Sequence, residues 1–258
     1  MKVEVFIPYF NHEKYILDAV SSVKTPKNRN WEISIKIVND GSDYNKLLRI
    51  IDTKQFNLNV QIYDSPNIGA FAQHLKAIKE SKADILFFLN SDDTYHENRI
   101  EYFVNALKSY THTWAYSDVN VINQNPYMIN HEQYISGILA YQSEFKSTNR
   151  LFKDNSLITT GNLVLKNPVY YANVIPHFRF DNLHDWYMAR NLAMIGNPVY
   201  IPLKLYNYRI HDSNTFSRNL SESQVESRLL HFVEQQAIAL GYFGVTNDQR
   251  SKNGKEVK

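Results

Sequence analysis

The sequence predicts an α/β fold, a mostly parallel sheet with helices on both faces and an irregular second half. Three observations predict it. Up to residue 109, short β-rich runs alternate with helical patterns, as in a parallel sheet covered by helices. Each β-rich run ends in a polar loop of turn-forming residues. The 258 residues contain no internal repeat and no Gly-, Pro- or Ser-rich linker, so one domain over 1–258 is expected, its halves sharing a sheet.

The elements follow in order. Residues 3–8 read as a buried strand, and Ile16, Val20 and Val23 then recur at helical spacing after the loop 9–13. A second strand, 33–38, ends in Asn39-Asp40-Gly41-Ser42, whose Asp-Gly step is a strong turn signal. The third, 60–63, runs into Ser65-Pro66-Asn67-Ile68-Gly69 and a helix with Phe71, Leu75 and Ile78 on one face. The fourth, 85–89, ends in Asn90-Ser91-Asp92-Asp93, followed by a helix marked by Ile100, Phe103, Val104 and Leu107. Beyond residue 121 the alternation breaks down. The segment 123–150 is polar and Tyr-rich, the kind of long loop that serves an acceptor. Residues 157–165 read as a strand, 185–195 as a helix and 206–210 as a last strand. A helix from Ser221, with Val225, Leu229 and Phe232 inward, precedes a tail over 244–258 that is expected to be flexible.

Composition narrows the function. Apolar residues make up 43% and charged residues 21%, as in soluble globular proteins. A net charge of +2 argues against nucleic acid as a partner. With no cysteine, disulfides and thiolate metal sites are excluded, so any metal is held by oxygen or imidazole. Residues 3–8 are too short for a signal peptide, and no run approaches the roughly eighteen apolar residues of a membrane span. A cytoplasmic address is expected, and any contact with a lipid-linked acceptor would be peripheral.

Open α/β sheets bind ligands outside the carboxyl ends of their strands, so the four loops are expected to converge on one site. There Asp92 and Asp93 either supply favourable charge to the next helix or form a repelling pair that a divalent cation offsets. Asp40 is by itself a turn residue. Asp185 serves locally as an N-cap. His211 is either a loop histidine bonded to backbone or an imidazole ligand. Gly161, in Thr159-Thr160-Gly161-Asn162, either marks a bulge or leaves room for a bulky neighbour. Trp186 fits a core or an apolar wall beneath a sugar.

Taken together, the ordered series Pro8-Tyr9-Phe10-Asn11, Asn39-Asp40-Gly41-Ser42, Asn67-Ile68-Gly69 and Leu89-Asn90-Ser91-Asp92-Asp93 resembles glycosyltransferase family 2, with its GT-A fold. The resemblance runs from residue 3 to about 109 and reappears in His184-Asp185-Trp186 and Tyr208-Arg209-Ile210-His211. It implies a nucleotide-binding half over 1–109 and an acceptor-side half over 110–243. It further implies a UDP-sugar donor whose uracil lies against Pro8 and Phe10, with Asp40 at its edge. Asn67 and Asp92 belong to the same nucleotide-sugar site, and Gly161 makes room for the hexose. Asp93 and His211 hold Mn²⁺ or Mg²⁺, which stabilises the diphosphate leaving group. Asp185 acts as general base on an acceptor hydroxyl of a carbohydrate or glycoconjugate, giving inversion at the anomeric carbon. Three positions depart from the family pattern. Asn39 and Asn90 stand where Asp is common, and His184 stands where the first of two acidic residues is usual.

Two alternatives stay open at this level. A nucleotide-sugar-binding relative without turnover accommodates Asn90 and His184. A phosphate-receiver-like regulatory module also gathers Asp at strand ends, but is about half this length and wants a late-strand lysine. A Rossmann oxidoreductase is disfavoured, because Tyr9-Phe10-Asn11-His12 stands where a glycine-rich loop belongs.

Overall fold

The computed structural model describes residues 1–26, 30–123, 155–175 and 184–211. Most of the segment expected on the acceptor side (124–150), the helix expected from Ser221 and the tail beyond Gly244 lie outside the described residues.

The first half follows the expected alternation: β1 (Lys2–Tyr9), α1 (Ile16–Ser22), β2 (Glu32–Asp40), α2 (Tyr44–Asp52), β3 (Asn59–Ser65), α3 (Ala70–Glu80), β4 (Ile85–Phe88), β5 (Thr94–Tyr95) and α4 (Arg99–Leu107). Then come β6 (Thr113–Asn123), β7 (Val164–Lys166), α5 (His184–Ile195) and β8 (Val199–Ile210). Helix α2, not read from the sequence, starts at Asp43, whose carboxylate accepts a bond from the Lys46 amide.

The strands form one eight-stranded sheet in the order β3-β2-β1-β4-β7-β6-β8-β5. Strands β1 to β4 pair in parallel, whereas β7 runs antiparallel to both β4 and β6. The sheet is therefore mostly parallel on one side and mixed on the other, and strands from both halves of the chain lie in it. Alternate residues of the central strands point to opposite faces. Val5, Ile7, Ile35 and Phe87 pack with α1, α2 and α4 on one face. Phe6, Leu86 and Phe88 pack with α3 and α5 on the other. Burial on both faces is why these strands read as continuous apolar runs.

Three readings change. Residues 157–165 are not one strand. Ile158 has φ 69°, Thr160–Asn162 forms a single 3₁₀ turn, and only Val164–Lys166 pairs into the sheet. The last strand starts at Val199 rather than 206 and pairs with β6 through a bulge near Asp118. Asp185 does not precede its helix but lies in the first turn of α5.

No helix among the described residues is long and apolar enough to cross a membrane. Strand order reverses at β1, which has β2 on one side and β4 on the other. The crevice beyond the carboxyl ends of β1 and β4 is thus the expected ligand position.

Candidate active site

Hydrogen bonds draw the four strand-end loops together at that crevice. The Asn11 amide donates to Ser42 Oγ (2.9 Å), joining the first loop to the second. Asp40 joins the second to the third, since its carboxylate accepts from the Ile68 amide (2.9 Å), the Gly69 amide (3.0 Å) and Gln73 Nε2 (2.7 Å). Gly41, with φ 83°, sits so close to Asn67 that an added Cβ would lie 2.6 Å from the Asn67 Cβ. His12 Nδ1 lies 2.8 Å from Ser91 Oγ, joining the first loop to the fourth. Pro8 is half-buried at the end of β1 and Phe10 is 46% exposed just beyond it, an uncovered aromatic face at the mouth of the crevice.

The adjacent carboxylates have different surroundings. Asp93 is buried, with Oδ1 accepting from the Arg209 amide (2.7 Å) and Oδ2 from the Tyr206 hydroxyl (2.6 Å) and Asn90 Nδ2 (3.0 Å). Its oxygens, expected at a metal, are thus occupied by protein donors. Burial and the charge of Asp92 push its carboxyl well above the usual range, against the pull of those donors. Burial and Asp93 likewise raise the Tyr206 hydroxyl, which stays a proton donor.

Asp92 faces two imidazoles instead. His211 Nε2 lies 3.1 Å and His12 Nε2 3.8 Å from Asp92 Oδ2. Burial pushes Asp92 up, but the bond from His211 and the charges of His12 and His211 outweigh it and hold the carboxyl below its ordinary value. One ligand atom from each of His12, Asp92 and His211 lies within 4.8 Å of the others. Two imidazole nitrogens and a carboxylate oxygen at that spacing fit a divalent cation. Side-chain exposure of 25% for His12 and 13% for Asp92, against 3% for His211, leaves the cluster open on the His12 side. The Tyr15 ring lies 4.7 Å from that of His211, and the Arg209 guanidinium stands over the Tyr15 ring, 5.1 Å from its centroid.

The 155–162 segment ties this loop to Asp185. Asn90 Nδ2 donates to Thr159 Oγ1 (2.6 Å), and Asn155 Nδ2 donates to Asp185 Oδ2 (3.0 Å). The other Asp185 oxygen accepts from the Trp186 amide (2.8 Å). Trp186 is buried, with the Arg190 guanidinium 5.0 Å from its ring, so it serves the core. The space left by Gly161 is filled by protein: an added Cβ would lie 2.0 Å from the Tyr206 hydroxyl. His184 stacks on His74 with ring centroids 5.8 Å apart, and burial lowers its pKa although Asp185 pulls the other way.

Sequence reasoning missed His12, Tyr206 and the Arg209 amide. His12 stood inside a quoted loop, but a single loop histidine carries no signal until Asp92 and His211 stand beside it. Tyr206 could have been sought as the bulky neighbour for which Gly161 leaves room.

The sequence profile described as Glycosyl transferase family 2 matches residues 4–170. The chain belongs to glycosyl transferase family 2. A glucosyltransferase of Escherichia coli, WfgD, named as UDP-Glc:alpha-D-GlcNAc-diphosphoundecaprenol beta-1,3-glucosyltransferase, is 24% identical over 48% of this chain and 47% of its own. An uncharacterized glycosyltransferase of Mycoplasma genitalium is 29% identical over 40% of this chain and 36% of its own. The chain therefore matches less than half the length of either relative. Among solved structures, residues 1–349 of Staphylococcus aureus TarS in complex with UDP-GlcNAc superpose with a TM-score of 0.67, at 16% identity, over 93% of this chain and 67% of that 1–349 fragment. That likeness is one of fold, and the mixed sheet with its parallel β3-β2-β1-β4 side is of GT-A type.

Proposed function

We propose that this family 2 domain transfers a hexose or N-acetylhexosamine from a UDP-sugar to an acceptor hydroxyl, with inversion at the anomeric carbon. The observation that carries the reading is the convergence of four strand-end loops on Asp92, set between two imidazoles at the switch point of the sheet. The donors named for WfgD and for the TarS complex, UDP-Glc and UDP-GlcNAc, support a uridine nucleotide.

In this reading Phe10 and Pro8 cover the uracil ring, and Asp40 keeps an acceptor position for the ring N–H beyond its two bonds from the 66–69 loop and one from Gln73. Asp92 and His211 hold Mn²⁺ or Mg²⁺. Such an ion, when bound, offsets the negative charge gathering on the diphosphate as the sugar bond breaks. Asp93 keeps the loop and the end of β8 in place through Tyr206 and the Arg209 amide. Asp185, oriented by Asn155 and the Trp186 amide, takes the proton of the acceptor hydroxyl. The hydroxyl oxygen bonds to the anomeric carbon, and the bond to the diphosphate oxygen breaks with its electron pair leaving on UDP. A single displacement of this kind turns an α-linked donor into a β-linked product.

Release of nucleotide across UDP-, GDP- and dTDP-sugars, with Mn²⁺ or EDTA, tests this directly. UDP-sugars are expected to react fastest, EDTA to stop the reaction, and Asp185→Asn to lower turnover by about 10²- to 10⁴-fold. Full activity in Asp185→Asn, or in EDTA, contradicts the assignment.

A further inference from the structure

The loop after β1 brings an imidazole to the same carboxylate oxygen that His211 addresses, from the opposite end of the chain. We infer that His12 is a third protein ligand. The cation at this site then meets a two-imidazole, one-carboxylate set of His12, Asp92 and His211, which selects Mn²⁺ and later first-row ions over Mg²⁺. This deepens the proposed function and rests on its reading that a divalent ion binds at Asp92.

Three features of the loop support it. First, His12 Nδ1 lies 2.8 Å from Ser91 Oγ, so the ring is anchored by the residue next to Asp92. The tautomer with its proton on Nδ1 directs that proton to Ser91 and the Nε2 lone pair to the side of Asp92, where Nε2 lies 3.8 Å from Oδ2. A ligating histidine fixed by an outer hydrogen bond at its other nitrogen is the arrangement metal sites use to set tautomer and ring direction. Second, the His12 and His211 rings meet edge to face at 84° with centroids 5.8 Å apart, so both can turn a nitrogen toward one point near Asp92 without clashing. Third, Asn11 ahead of it has φ 53°, a left-handed backbone, and its amide is tied to Ser42 Oγ. The chain thus turns sharply just before His12 and is held there by the second loop, which preorganises the ring.

The chemistry sets the ion. Mg²⁺ prefers oxygen ligands and keeps its waters, whereas imidazole suits Mn²⁺ modestly and Co²⁺ and Zn²⁺ more strongly. A second nitrogen therefore widens the gap between Mn²⁺ and Mg²⁺. His12, Asp92 and His211 would hold the ion from the protein, and the partial exposure of His12 and Asp92 would leave it accessible to a diphosphate.

Calorimetric titration of the protein with Mn²⁺ alone and with Mg²⁺ alone tests the inference, comparing wild type with His12→Ala, Ser91→Ala and Asp92→Ala. His12→Ala is expected to raise the Kd for Mn²⁺ by at least about tenfold while moving that for Mg²⁺ by less than about twofold. Ser91→Ala is expected to weaken Mn²⁺ about tenfold by releasing the ring. Electron spin-echo modulation of Mn²⁺-loaded wild type is expected to show two coupled nitrogens, which keeps the question open to test without any variant. Unchanged Mn²⁺ affinity in His12→Ala, or a single nitrogen in the spectrum, overturns the role of His12. If Asp92→Ala alone loses binding, the metal reading stands without His12, whereas failure of wild type to bind Mn²⁺ removes both.

Discussion

Asp92 and Asp93 are consecutive residues in the loop between β4 and β5, yet their carboxylates have different partners. Asp93 turns inward to Tyr206, the Arg209 amide and Asn90, and it is 1% exposed. Asp92 turns to the crevice and two imidazoles. The difference shows how an acidic pair divides its work. A buried acceptor that satisfies three protein donors fixes the loop, and its neighbour, beside two imidazoles, is the carboxylate that the proposed function assigns to a cation.

The sharpest way to break the contrast is to remove one carboxylate at a time. Asp92→Ala is expected to lower turnover by about 100-fold, equal to about 3 kcal/mol of leaving-group stabilisation, while the unfolding free energy from urea titration stays within about 0.5 kcal/mol of wild type. Asp93→Ala is expected to do the reverse first. It takes the acceptor from the Tyr206 hydroxyl and the Arg209 amide and leaves Asn90 only its bond to Thr159, and stability should fall by about 3 kcal/mol in the same titration. Equal destabilisation by both substitutions would erase the distinction.

The asymmetry between these neighbours could not be read from the sequence, because it is set from 113 residues away by Tyr206 and 116 residues away by Arg209. What was legible is local. The Asp-Gly turn after β2, the glycine before α3 and the buried apolar runs of β1, β2 and β4 each carry their own signal. The departures at Asn39 and Asn90 illustrate the boundary. Asn90 donates to Asp93 (3.0 Å) and Asn39 donates to Asp64 (2.7 Å), bonds that a carboxylate in either place would replace with repulsion. In the second half the signals fail for a physical reason. Strand β6 shifts register on both sides of Asp118, which breaks its two-residue period, and the 155–162 segment is shaped by contacts to Asn90, Asp185 and Tyr206 rather than by propensity.

A smaller effect contrasts the crevice with the opposite face of the sheet, where His74 is buried against Phe6, Phe88 and His184. Burial, with His184 adding to it, holds His74 well below its ordinary 6.5, and burial lowers His184 as well. The unfolded chain therefore binds more protons than the folded one as pH drops below that value, and stability is lost on acidification. His74 is expected to contribute a loss of up to about 1 kcal/mol as pH falls from 6.5 to about 5.5, with His184 adding in the same direction. His74→Phe should remove its share, seen as a flatter dependence of the denaturation midpoint on pH, and an unchanged slope would show that His74 is not the group responsible.

In the proposed function a cation at Asp92 and a nucleoside diphosphate share one crevice. Calorimetric titration with UDP in Mn²⁺ and in EDTA tests it most directly, because two ligands that meet must strengthen one another reciprocally. Binding at least about tenfold tighter in Mn²⁺, with the difference abolished in Asp92→Ala, is the predicted result. The same Kd for UDP with and without the metal would contradict the account.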